Sequence, residues 1–168
     1  MTYTKPYWRK FSWLLIGVTT ALLTACATGP QVVSHSFSYD ALEESPDVEV
    51  LDYRYGDDYV MTRAPEWRKI QGNVKQGEHI TATFPRGAYL FVKWRIKATG
   101  EEFQDTVDLR HRLPANIKDH RIHFVIKGPQ LYVYLVSPER RRSDEPKNGP
   151  STYGHLKVIT IYPDPEKS

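Results

Sequence analysis

Six histidines, one cysteine and an aspartate set into an apolar stripe are the residues of this 168-residue chain whose chemistry could reach beyond packing. His120 and His123 stand three apart in "KDHRIHFV", which on a strand places them on opposite faces and unable to share an ion. His111 lies between Arg110 and Arg112, whose charges repel a cation. Zinc asks for three or four converging ligands at suitable spacing, so neither a metal nor another cofactor is expected. GxSxG, P-loop, HExxH and CxxC motifs do not occur in the sequence. A serine nucleophile would need a histidine and an acid from distant segments, and no local signature points to any one serine. No catalytic residue is assigned on these grounds.

Asp105 interrupts an otherwise apolar stripe and, in the register derived below, points inward opposite Trp94. A buried carboxylate is costly unless it is paired or hydrogen-bonded, and the Trp94 indole N–H or an arginine is a candidate donor. This is expected to be a structural bond rather than a general acid, because no convergent partner is readable. Arg121, His123, Tyr132 and Tyr134 fall together on one face of a hairpin and form the candidate binding face. Tyrosine and arginine combine large contact area with polar ends and are enriched where proteins meet. "ERRRSDEPKNGP" (139–150) offers three consecutive arginines followed by acids, the pattern of a solvated loop with internal charge compensation or of a contact for anionic headgroups.

The lone thiol is Cys26, in "LLTACATGP". Before it come Lys5, Arg9 and Lys10, then a charge-free run from Phe11 to Ala25. A charged start followed by an apolar run of this size is the arrangement of a secretory signal. About twenty apolar residues are needed to span a hydrocarbon core of about 30 Å, so a permanent membrane helix is the weaker reading. Of the 23 lysines and arginines, three lie in residues 1–25 with no acid among them, so residues 26–168 carry 20 cations and 20 anions. The basic balance belongs to the leader, and nucleic-acid binding loses the basic footprint it requires. With one cysteine there is no intrachain disulfide to brace a domain in an oxidising compartment.

Leu23-Thr24-Ala25-Cys26 resembles the lipobox of bacterial lipoproteins, in which a large apolar residue and two small ones precede the cysteine. The resemblance implies diacylglyceryl transfer to the Cys26 sulfur, cleavage before it and acylation, palmitate included, of the new amino terminus. A thiolate is the side chain able to accept the glyceryl group near neutral pH, and several acyl chains hold far more firmly than one. Ala27, where enterobacterial lipoproteins retained in the inner membrane carry aspartate, implies the periplasmic leaflet of the outer membrane. The stretch Tyr89–Val136 also resembles small proteobacterial lipoproteins, which implies a class that includes immunity-like protectors and secretion-system components.

The elements that must position these residues read as strands. Val33, His35, Phe37 and Tyr39 alternate with serines, a period of two. "YLFVKWRIKATGEEFQDTVDL" reads as a hairpin about Thr99-Gly100, pairing Ile96 with Phe103, Trp94 with Asp105, Val92 with Val107 and Leu90 with Leu109. "RIHFVIKGPQLYVYLV" reads as a second about Gly128-Pro129, pairing Ile126 with Leu131, Phe124 with Val133 and Ile122 with Leu135. Residues 79–84 and 155–162 alternate as well, and 48–55 more ambiguously; "DALEE" and "APEW" leave room for short helical turns. Seven or eight short strands imply an all-β fold, an antiparallel β-sandwich behind an N-terminal signal helix.

The expected organisation is a signal peptide at 1–25, the lipidated cysteine and a short tether at 26–32, and one domain at 33–168. The expected role is a non-catalytic protein-binding module of the cell envelope, held to the membrane through Cys26 and facing an envelope or effector protein. A structural accessory subunit, a peptide- or glycan-binding domain and a hydrolase are the alternatives.

Overall fold

The computed structural model describes residues 32–56 and 62–164, and the expected signal peptide, Cys26 and the expected tether lie outside them. In chain order the elements are β1 (Val32–Asp40), α1 (Ala41–Glu44), β2 (Val48–Gly56), β3 (Thr62–Arg63), α2 (Glu66–Ile70), β4 (Gly77–Pro85), β5 (Tyr89–Ile96), β6 (Glu102–Asp108), β7 (Arg121–Lys127), β8 (Gln130–Arg140), a 3₁₀ turn (Ser151–Tyr153) and β9 (Leu156–Tyr162). The strands form a five-stranded sheet in the order β4-β1-β7-β8-β9 and a four-stranded sheet in the order β3-β2-β5-β6. Alternation along each strand turns one row of side chains inward, and the two inner rows close on each other as a β-sandwich.

The core is aromatic. Phe37 lies flat against Tyr55, with centroids 5.1 Å apart, and Tyr39 stacks on Phe124 at 4.5 Å. Each such ring contributes about 1.5–3 kcal/mol by leaving water. The polar ends of these rings all leave the core on partners. Tyr39 donates to the Lys75 carbonyl at 2.6 Å, Tyr53 to Glu78 at 3.2 Å, and the Trp94 indole to the Gly128 carbonyl at 2.9 Å. His35 donates from Nδ1 to the Val33 carbonyl at 2.9 Å, which leaves Nε2 to accept from the Tyr55 hydroxyl at 2.8 Å. Tyr55 in turn accepts from the Gly87 amide at 3.0 Å. Burial pushes the Tyr53 phenol up to about 12, with the nearby Glu78 carboxylate adding to it.

The β7–β8 hairpin has the expected register about Gly128-Pro129, with Ile126 opposite Leu131, Phe124 opposite Val133 and Ile122 opposite Leu135. The β5–β6 hairpin does not. Trp94 pairs with Phe103, Val92 with Asp105 and Leu90 with Val107, a displacement of two residues from the expected pairing. The turn is a four-residue loop, Lys97 to Gly100, in which the Gly100 amide bonds the Ile96 carbonyl and Gly100 takes a φ of +75°. Because the displacement is even, every side chain keeps its expected face. Only the cross-strand partners change.

Two further features were not readable from alternation. β1 runs antiparallel to β4 but parallel to β7, with Ser36 opposite Arg121 and Ser38 opposite His123. β2 carries a bulge at Leu51, where its register with β5 shifts between Val50 and Asp52. One extra residue breaks a period of two, which accounts for the ambiguity of 48–55.

Candidate functional site

The best-built polar constellation sits on the outer face of the five-stranded sheet. Parallel pairing brings Ser38 of β1 beside His123 of β7, and the Ser38 hydroxyl meets His123 Nδ1 at 2.8 Å. On the other side of the ring His123 Nε2 lies 2.6 Å from Glu44 Oε2. Glu44 is held there by α1, a single helical turn capped by the Asp40 carboxylate, which accepts from the Leu42 and Glu43 amides at 3.0 and 3.1 Å. With Glu44 ionised, Nε2–H donates to it, and a neutral ring accepts at Nδ1 from Ser38. The arrangement is a serine, a histidine and a carboxylate in line, from three separate elements.

The row is closed at both ends by the 3₁₀ turn. The Thr152 amide donates to Glu44 Oε1 at 3.3 Å, and the Tyr153 hydroxyl stands 3.5 Å from Ser38 Oγ. Arg121 donates to the Tyr153 hydroxyl at 2.6 Å while its guanidinium covers the Tyr153 ring at 5.2 Å. The His123 and Tyr153 rings meet edge-on at 5.1 Å. Ser38 is 3% exposed and His123 2%. The segment 141–155 is thus a strap whose underside is pinned to the sheet by this network. Burial by itself raises the Glu44 carboxyl, but hydrogen bonds from His123 and Thr152 outweigh it and hold Glu44 below its ordinary range.

Beside the network the strap leaves a groove of about 250 Å³, walled by Glu43, Glu44, Val125, Lys127, Tyr134 and Ser151. Gly149 lies across Tyr134, and a methyl added there would come within 3.3 Å of the Tyr134 ring. The four residues of the expected binding face are therefore brought together, in unequal settings. Tyr134 is a wall of the groove and buried, His123 is sealed beneath the strap, Arg121 is engaged with Tyr153, and Tyr132 is half-exposed under the Lys127 ammonium at 5.5 Å.

Asp105 and Trp94 part company. Asp105 stands opposite Val92, at the sandwich rim, and is half-buried. Its contact is the Tyr162 hydroxyl of β9, whose phenol is raised chiefly by that hydrogen bond. The Trp94 indole bonds the Gly128 carbonyl instead. His120 bonds the Lys118 carbonyl at 2.8 Å, away from His123. Among the described residues no three of histidine, cysteine, aspartate and glutamate converge on one point.

Sequence reasoning missed Ser38 and Glu44. A hydroxyl in a run of alternating serines has no local signature, and the parallel pairing that delivers it to His123 joins segments 85 residues apart. Comparison of the chain with protein-family models, with curated proteins and with solved structures finds no match.

Proposed function

We propose that the chain is a lipid-anchored protein of the bacterial cell envelope that binds a protein partner without catalysing a reaction, using the outer face of β7 and β8. The observation that carries the binding role is the groove beside the strap. Its volume of about 250 Å³ lies below the range of about 300–1,000 Å³ typical of small-molecule sites. It is the size of a recess for one partner side chain. Glu43 and Glu44 on one wall and Lys127 on another suit a polar or charged side chain, with Tyr134 and Val125 supplying the apolar floor. The lipobox at Leu23–Cys26 supports the anchor, and Ala27 supports the periplasmic side of the outer membrane. An immunity-like protector or a secretion-system component fits this reading.

The test is a detergent pull-down of the native protein beside a Cys26→Ser form and a Glu43→Lys/Lys127→Glu double variant. The expected result is acylated Cys26, with a stoichiometric envelope or effector partner that the double variant no longer retains. A partner retained equally by the double variant overturns the groove as its site. Unmodified Cys26 overturns the anchor.

A second reading, hydrolysis, is favoured by the Ser38–His123–Glu44 row. In it Ser38 would add to an ester or amide carbonyl as His123 takes its proton, His123 would return that proton to the departing alcohol or amine as its bond to the carbonyl breaks, and water would later release the acyl group. This requires the strap to lift, because Tyr153 stands over the nucleophile. Reaction of Ser38 with a fluorophosphonate would bring this reading to the front.

A further inference from the structure

Val32 enters the sandwich at a definite end. The Ser34 carbonyl accepts from the Asp119 amide at 2.8 Å, so the β6–β7 connection turns there. Arg121 pairs with both Ser36 and Val136, which places the start of β7 and the far half of β8 at the same end. His35 reaches Tyr55, which places the end of β2 there as well. The opposite end holds α1, the β5–β6 loop and the β7–β8 turn.

Charge divides between these two ends. At the Val32 end five cations, Arg54, Arg63, Arg86, Lys118 and Arg140, have no carboxylate partner among the described residues, against two acids, Asp119 and Glu139, with no cation partner. Arg54 and Arg63 are direct cross-strand partners, an arrangement in which like charges oppose each other and weaken the pairing. Asp57 and Asp58, between them in sequence, lie outside the described residues. At the opposite end the unpaired charges nearly balance, Glu43, Asp47 and Glu101 lacking a cation partner and Lys75, Lys97 and Lys127 a carboxylate partner among the described residues. Among the described residues the unpaired charge is thus positive on balance at the end where the tether arrives.

We propose that the Val32 end of the domain rests on anionic phospholipid headgroups. The inference builds on the anchor at Cys26. A tether of six residues reaches about 20 Å at full stretch, while charge is screened over about 8 Å at physiological salt. A slack tether brings the cations into that range, and each then strengthens association about fivefold. The far end, where unpaired cations and acids nearly balance, offers no such attraction, so the charge favours one orientation. The groove beside Glu44, with α1 and Lys127, is left pointing away from the bilayer and open to a partner.

The native protein, its acylation checked by mass, is reconstituted into vesicles of phosphatidylcholine alone or mixed with phosphatidylglycerol, and hydrogen exchange is followed. Peptides covering 110–120 and 138–142 are expected to be protected on the mixed vesicles only, and to lose that protection at high salt. Peptides covering 41–47 and 97–101 are expected to be unchanged. An Arg54→Gln/Arg63→Gln/Arg140→Gln variant, whose sites are all exposed, is expected to lose the protection while remaining anchored. Acylated protein whose rim is equally exposed on both vesicles overturns this proposal and leaves the anchor standing. Unmodified protein that still sediments with mixed vesicles, and not with neutral ones, upholds the rim and overturns the anchor. Protection that appears only when an acidic protein is added overturns the lipid assignment.

Discussion

Ser38 on β1 and His123 on β7 are matched positions of a parallel strand pair, and their side chains meet at 2.8 Å beneath Tyr153. A nucleophile must be reached, and Ser38 is 3% exposed. Native protein treated with a fluorophosphonate is therefore expected to show no adduct at Ser38 by intact mass. Ser38→Ala is expected to lower stability by about 1–3 kcal/mol, because Nδ1 is left without its partner. A stoichiometric adduct lost in Ser38→Ala would reverse the assignment from binding to hydrolysis.

Glu44 links acidity to the strap. Its folded carboxyl sits below the ordinary 4.5, so its contribution is complete above about that pH and is lost as pH falls through the lower folded value. Amide exchange at residues 150–154, corrected for its intrinsic rate, is expected to rise in that acid range. In Glu44→Gln it is expected to be fast already at neutral pH, with no further acid step. An acid step that persists in the glutamine variant would assign the transition to another group.

His35 gives a second and separable acid response. Burial holds its pKa below the ordinary 6.5, only partly opposed by the Val33 carbonyl. As pH falls below about 6.5 the unfolded chain takes up this proton first, so stability declines until the lower folded pKa is passed. In the fold, protonation would turn an Nε2–H toward the hydroxyl that Tyr55 now donates. Urea midpoints are expected to fall between about pH 7 and pH 5 in the native chain and to stay flatter in His35→Gln. Equal slopes in both would remove His35 as the cause.

Gly87 is required by the space around it. A methyl at this position would overlap the ring of Tyr55, which is fully buried and whose hydroxyl accepts from the Gly87 amide. Gly87→Ala is expected to lower stability by about 1–3 kcal/mol through overpacking, read from chemical denaturation. By contrast Gly72→Ala, with nothing within 4 Å but a φ of +63°, is expected to cost about 1 kcal/mol through backbone strain alone.

The faces of the strands were legible in the sequence, and their neighbours were less so. Period-two alternation assigns Val92, Trp94 and Phe103 to the core whatever the register, so the two-residue displacement of β5 against β6 left the fold class intact. The displacement itself was set by the loop, where Gly100 supplies the left-handed residue of a longer turn than the one expected at Thr99-Gly100. At Gly128-Pro129 the shorter turn is the one formed, and its register was read without error. The two-residue β3 is too short to alternate at all. The site was the least legible part, because Ser38, Glu44 and Tyr153 meet His123 only through the parallel pairing, a one-turn helix and the return of a loop. None of these leaves a periodic trace.

The position of β1 decides how the domain bears a pull at its entry point. Val32 begins a strand clasped on one side by β4 over nine register positions and on the other by β7. A force applied there runs along the strand, so the flanking hydrogen bonds are sheared together instead of being unzipped one after another. An edge strand hauled from its end would peel away. A central strand loaded lengthwise fails only when both neighbours let go at once, so a pull at Val32 meets more resistance than the same pull on the edge strands β4 or β9 would.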